Sequence, residues 1–175
     1  MHIKAKMIAF LGLLLSCTVL LVIFSGIIET NTLFLLAAAS FFVGVAIRES
    51  GLMLGFGFFI AATLLSFILA PNKLYCITFS AMALYILLIE TIWEKRMMKN
   101  MNWNKVFFII KVIIFNLMYI PVLMLFKEII FPGGISKKFL VIFIILGQIA
   151  LVIYDIAYRY FQRNIWGKIR VRLHL

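Results

Sequence analysis

This chain of 175 residues is 66% hydrophobic and only 13% charged, with a formal net charge of +11. A soluble domain of this length needs many more polar residues to cover its surface, so the composition excludes one. There is no hydrophilic block, which leaves room for a single transmembrane domain over residues 1–175 and nothing else.

Six apolar runs fill the chain, at residues 7–28, 32–47, 51–70, 74–93, 106–126 and 139–158. Most approach the ~20 residues that a helix needs to cross a bilayer. They are continuously apolar and do not alternate with period two, so the expected fold is an all-α bundle of about six transmembrane helices and not a barrel. The first run follows Lys4 and Lys6. It is long for the apolar core of a signal peptide and lacks a small-x-small cleavage site, so a retained helix is expected. Glu29-Thr30-Asn31-Thr32 reads as a polar turn, with Asn31 or Thr32 capping the next helix. The second run is short, as a tilted or partly immersed helix would be, and Arg48-Glu49-Ser50-Gly51 reads as a tight turn after it. Pro71-Asn72 ends the third run, because proline cannot continue the hydrogen-bond ladder. The longest polar connection, Trp93 to Asn104, is too short to fold alone. Pro121 lies inside the fifth run and is expected to kink it, and Pro132-Gly133-Gly134 separates the last two. Cys17 and Cys76 lie in or beside apolar runs with no C-x-x-C spacing, which reads as two buried, inert thiols and not a metal or redox motif.

The basic residues set the expected orientation. With six spans, one side carries Lys4, Lys6, Arg48, Lys95, Arg96, Lys99, Lys105, Arg159, Arg163, Lys168, Arg170 and Arg172. The other carries Lys73, Lys127, Lys137 and Lys138, and Lys111 falls within a span. Basic loops stay in the cytoplasm, so the N-terminus and C-terminus of a multi-pass chain are both expected to be cytoplasmic.

Placing polar residues by depth, at ~1.5 Å per helical residue, separates two groups. Arg48, Glu49, Glu90, Lys111, Asp155 and Arg159 gather at the inner side, as a charged cluster for helix packing or docking. An ionised side chain at the bilayer centre costs at least ~2.5–3.5 kcal/mol, and opposite charges at one depth lower that cost. Lys111 is expected to meet Asp155 or Glu90. The alternative has Lys111 snorkelling to the inner headgroups, with Asp155 pairing with Arg159 one turn on. Asn116 and Gln148 sit near mid-span on the last two helices, where amides hydrogen-bond across helices or line a small polar cavity. The outer half is lightly polar, with Glu29, Asn31, Tyr75, Thr78, Ser80 and Tyr119. Tyr75, Thr78, Asn116, Tyr119 and Gln148 are the candidate contacts for a small, uncharged ligand.

Small residues four apart (Ser40 and Gly44, Gly51 and Gly55, Gly57 and Ala61, Ala5 and Ala9) let helix backbones approach, in internal packing or in docking a partner. The basic ending, interleaved with Tyr160, Phe161 and Trp166, suits anionic membrane lipids better than nucleic acid, because it is brief and follows a span directly. No nucleotide-binding, metalloprotease or hydrolase motif is present, and His2 and His174 lie at the chain ends, so catalysis and a bound metal or other cofactor are not expected.

Val45-Ala46-Ile47-Arg48-Glu49-Ser50-Gly51-Leu52-Met53-Leu54-Gly55, Ala70-Pro71-Asn72-Lys73 and Gly147-Gln148-Ile149-Ala150-Leu151-Val152-Ile153-Tyr154-Asp155 together resemble a group of small six-span membrane proteins of Clostridia-type bacteria. In size and layout that group resembles the S components of energy-coupling factor (ECF) transporters. The resemblance implies a substrate-binding subunit for uptake of a vitamin or other small molecule, docked on a transmembrane coupling subunit that is driven by two ATPases. Ala5-Lys6-Met7-Ile8-Ala9 resembles the small-residue face that S components use for docking. The chain departs from its group at Ser80-Ala81-Met82-Ala83, where a Gly-Tyr-Tyr-Pro stretch is expected. The alternative is a non-transporting membrane scaffold of the MreD cell-shape type, also of this length and without a catalytic motif. An orphan channel or enzyme is the third reading.

Overall fold

The computed structural model describes residues 5–96, 104–130 and 137–173. The helices are α1 (Ala5–Ile27), α2 (Thr32–Ser50), α3 (Leu52–Leu69), α4 (Lys73–Arg96), α5 (Asn104–Ile130), α6 (Lys137–Tyr160) and a short α7 (Gly167–Leu173). A 3₁₀ turn over Glu29–Asn31 precedes α2, and a π-helical turn over Phe161–Trp166 joins α6 to α7. Six helices are long and apolar enough to cross a membrane, and no strand occurs among the described residues. Pro132-Gly133-Gly134, both histidines and most of the Trp93–Asn104 connection lie outside the described residues.

The chain divides into two compact units: Met1–Lys99 with Phe161–Leu175, and Asn100–Tyr160. In the first, α2 is the central helix, packed on α1, α3 and α4. Its side chains from Ala39 to Ile47 are buried except for half-buried Phe42. Ala39, Ser40, Gly44 and Ala46 give it the narrow girth that a central position requires. Leu36, Val43, Phe58, Ala62, Phe79, Ala83 and Leu87 form the core around it. In the second unit, α5 packs on α6.

The break between α2 and α3 is narrower than the sequence suggests. Arg48, Glu49 and Ser50 are the last turn of α2, and the helix is 19 residues long, about 28 Å at 1.5 Å per residue. The second span is therefore of ordinary length and not a short one. Only Gly51 breaks it, at φ 85°, a left-handed conformation that costs glycine little. Gly55 then lies so close to α2 that an added Cβ would stand 2.8 Å from Ile47 Cα. The α3 stop follows expectation: Ala70, before Pro71, is extended at φ −77° and ψ 138°. Asn72 Oδ1 accepts the Leu74 amide at 3.0 Å, as an N-cap does for α4, and Lys73 Nζ donates to the Ala70 carbonyl at 3.0 Å and to that of Phe67.

One expectation changes. Neither Asn31 nor Thr32 caps α2 through its side chain: no cap hydrogen bond forms at Asn31, and the Thr32 hydroxyl donates back to the Ser25 carbonyl at 3.0 Å. Pro121 lies inside α5, as its place in the fifth run implies. The basic ending is helical over Phe161–Trp166 and Gly167–Leu173 and belongs to the first unit. Cys76 is buried and Cys17 half-buried, both as free thiols.

Candidate functional site

The first unit has two chemically distinct ends. At one, the end of α1 meets the α3–α4 turn: a methyl on Gly26 would lie 3.2 Å from Pro71 and 3.8 Å from Tyr75. At the other, the last turn of α2 ties two elements together through adjacent residues. Arg48 donates to Glu90 of α4 from Nε at 2.9 Å and from Nη2 at 2.6 Å, a bidentate guanidinium–carboxylate pair. Glu49 accepts the Trp166 indole N–H at 2.9 Å and lies 3.3 Å from Arg170 Nε. Both carboxylates are deeply buried, with side-chain exposures of 4% for Glu49 and 5% for Glu90. A buried carboxylate is tolerated where a cation and further donors satisfy it, and each of these has such partners.

The segment Phe161–Leu173 lies along the second half of α2 as a strap. Gln162 Nε2 donates to the Phe41 carbonyl at 3.4 Å, and the Phe161 ring rests against Phe41 and Phe42 with centroids 5.4 and 6.0 Å apart. Trp166 is buried, its ring 5.6 Å from that of Phe10 in α1. Sequence reasoning missed these contacts. Their signal was present, since Gln162, Trp166 and Arg170 recur every four residues and so share a helix face.

In the second unit, α5 and α6 are joined by polar rungs. Lys111 Nζ donates to Asp155 Oδ1 at 2.5 Å, and Arg159 Nη2 lies 3.2 Å from Asp155 Oδ2. The interhelical pair and the pair one turn along, set against each other from sequence, therefore coexist on one carboxylate. Lys111 also stands over the Phe107 ring at 4.6 Å. Farther along, Gln148 Nε2 donates to Asn116 Oδ1 at 2.8 Å and Asn116 Nδ2 donates back at 3.4 Å. Tyr119 donates to the Phe143 carbonyl at 3.0 Å, and its ring fills the space beside Gly147, where an added Cβ would come within 2.6 Å.

Within each unit, the structure assigns partners to the charged residues inferred from sequence. Glu90 belongs to Arg48, and Asp155 to Lys111 and Arg159. The five ligand candidates are mostly engaged within the protein. Thr78 donates to the carbonyl of Leu74 in its own helix at 3.1 Å, Asn116 and Gln148 hold each other, and Tyr119 holds α6. Tyr75 is half-buried beside the α3–α4 turn. In comparison with known proteins, no family model matches the chain, and no curated protein or solved structure matches it either.

Proposed function

We propose that this chain is a non-catalytic, multi-pass scaffold of the bacterial cytoplasmic membrane, with both termini on the inner side, holding partner membrane proteins in place. One observation carries the reading: within the spans, five charged side chains and two amides among the described residues are bonded to one another. Arg48–Glu90, Lys111–Asp155–Arg159 and Asn116–Gln148 brace helices, and four of the five ligand candidates are occupied by such bonds or by their own helix. A transport site needs polar groups turned toward a ligand, whereas a scaffold needs a rigid frame. The cytoplasmic placement rests on the Lys and Arg bias.

A different observation favours the second reading, a substrate-binding subunit like an ECF S component. The Thr63 and Ser66 hydroxyls on α3 are buried without a hydrogen-bond partner. They are three residues apart on one helix face, and the Ser66 carbonyl accepts from Cys76 Sγ at 3.2 Å. Two unsatisfied hydroxyls on one face of α3 suit a small polar ligand.

Affinity purification of the tagged full chain from crosslinked membranes separates the readings. Wall-synthesis or cytoskeletal proteins in stoichiometric amount support the scaffold. A coupling subunit with two ATPases, together with a small molecule retained by the purified chain, supports the transport subunit and overturns the scaffold.

A further inference from the structure

The strap Phe161–Leu173 contains Arg163, Lys168, Arg170 and Arg172 and no acidic residue. Its inner face is engaged through Phe161, Gln162 and Trp166. Its outer face is not. Arg163 and Lys168 are exposed, Arg170 is 55% exposed even while its Nε meets Glu49, and Ile165, Ile169 and Val171 are exposed beside them. Arg163 and Lys168, with three aliphatic side chains, are therefore exposed on a strap already fixed in place by its buried residues, and Arg170 is shared with Glu49.

We propose that this outer face is a binding surface for anionic phospholipid headgroups. Arg163 and Lys168 meet the phosphates, and Ile165 and Ile169 enter the acyl boundary. Charge complementarity carries the assignment: a basic residue held near an anionic membrane surface strengthens binding about five-fold. Guanidinium groups match phosphate oxygens with paired N–H donors. Interleaved aliphatic residues suit a lipid boundary and would be wasted on a wholly aqueous partner. Prior docking of the strap removes most of the ordering cost that a loose basic tail would bear. Glu49 is a positioning residue, because it holds Arg170 and Trp166 at the end of α2. The proposal rests on the reading that the six apolar helices cross a bilayer.

The test offers the purified full chain an equimolar mixture of phosphatidylcholine and phosphatidylglycerol and reads the lipids retained by native mass spectrometry. Wild type is expected to retain phosphatidylglycerol preferentially. The Arg163→Gln/Lys168→Gln variant removes two exposed charges and is expected to keep wild-type helicity and thermal midpoint. Its preference is expected to fall by about five-fold per charge removed. Lys73→Gln, at the opposite end of the same unit, is expected to leave the preference intact. A wild-type chain without the preference, or an unchanged preference in Arg163→Gln/Lys168→Gln, overturns the proposal. Reconstitution into vesicles separates the two failures: a chain that inserts without selecting phosphatidylglycerol sinks the lipid surface alone, and one that does not insert sinks the membrane reading as well.

Discussion

Lys111 concentrates the residue-scale energetics. Its side chain is 8% exposed and reaches an aspartate side chain that is 7% exposed, so both charges are largely withdrawn from solvent. Removing one member leaves the other buried and under-compensated, which costs about 3–5 kcal/mol, although Arg159 recovers part of that for Asp155. Lys111→Leu is therefore expected to destabilise the folded chain by about 3 kcal/mol in a reversible unfolding assay. Lys111→Leu with Asp155→Asn should cost clearly less than the sum of the two single changes, and strict additivity would mean that the pair is not coupled. Asn116→Leu is expected to cost about 1 kcal/mol, the usual scale for an interhelical amide pair in a membrane. The sequence made the existence of such pairs legible, because depth along a helix can be counted. It did not reveal which carboxylate each cation takes. Glu90 and Asp155 lie at similar counted depths, and partner choice depends on which helices are neighbours.

The end of α2 shows what reading by elements misses. Arg48, Glu49 and Ser50 look like a loop because they are polar, yet polarity at a helix end reflects depth as much as backbone shape. The break belongs to Gly51 alone, where φ is positive. Four residues on, Gly55 allows α3 to touch Ile47, and Gly55→Ala forces the α2–α3 hairpin apart. A loss of about 1–3 kcal/mol is expected, whereas Gly57→Ala, with nothing within 4 Å, should be neutral or slightly stabilising. Thermal midpoints of the two variants, measured side by side in one detergent, provide the check, and equal effects would contradict the close contact at Gly55. The strap escaped the sequence reading for a related reason. Its charges drew attention to lipids, while the buried stripe of Gln162 and Trp166 was not weighed. Glu49→Gln removes the anion that holds Arg170, and Trp166→Leu removes the indole that bonds Glu49. Either change is expected to speed amide hydrogen exchange over Phe161–Leu173 and to leave the core of α2 protected. Unchanged exchange in both would show that Glu49 does not secure the strap.

Across the whole chain, the features most legible from sequence were those set by composition: six apolar helices of bilayer length and a stop at Pro71. The division into two units was not legible, because continuous hydrophobicity reads the same whether a helix faces lipid or protein. The candidate ligand residues were recognised as polar positions within apolar helices, but their engagement in Asn116–Gln148 and Tyr119–Phe143 depends on register between helices. Orientation underlies every functional proposal, since it decides which compartment meets the α3–α4 turn and which meets the charged end of α2. Single-cysteine labelling tests it most directly. In a Cys17→Ser/Cys76→Ser background, Asn72→Cys and Asn100→Cys are exposed in turn to a membrane-impermeant maleimide, in intact cells and after lysis. Cysteine at position 72 should label in intact cells, and cysteine at position 100 only after lysis. The reverse pattern, or labelling of both positions in intact cells, would contradict a six-span chain with both ends in the cytoplasm.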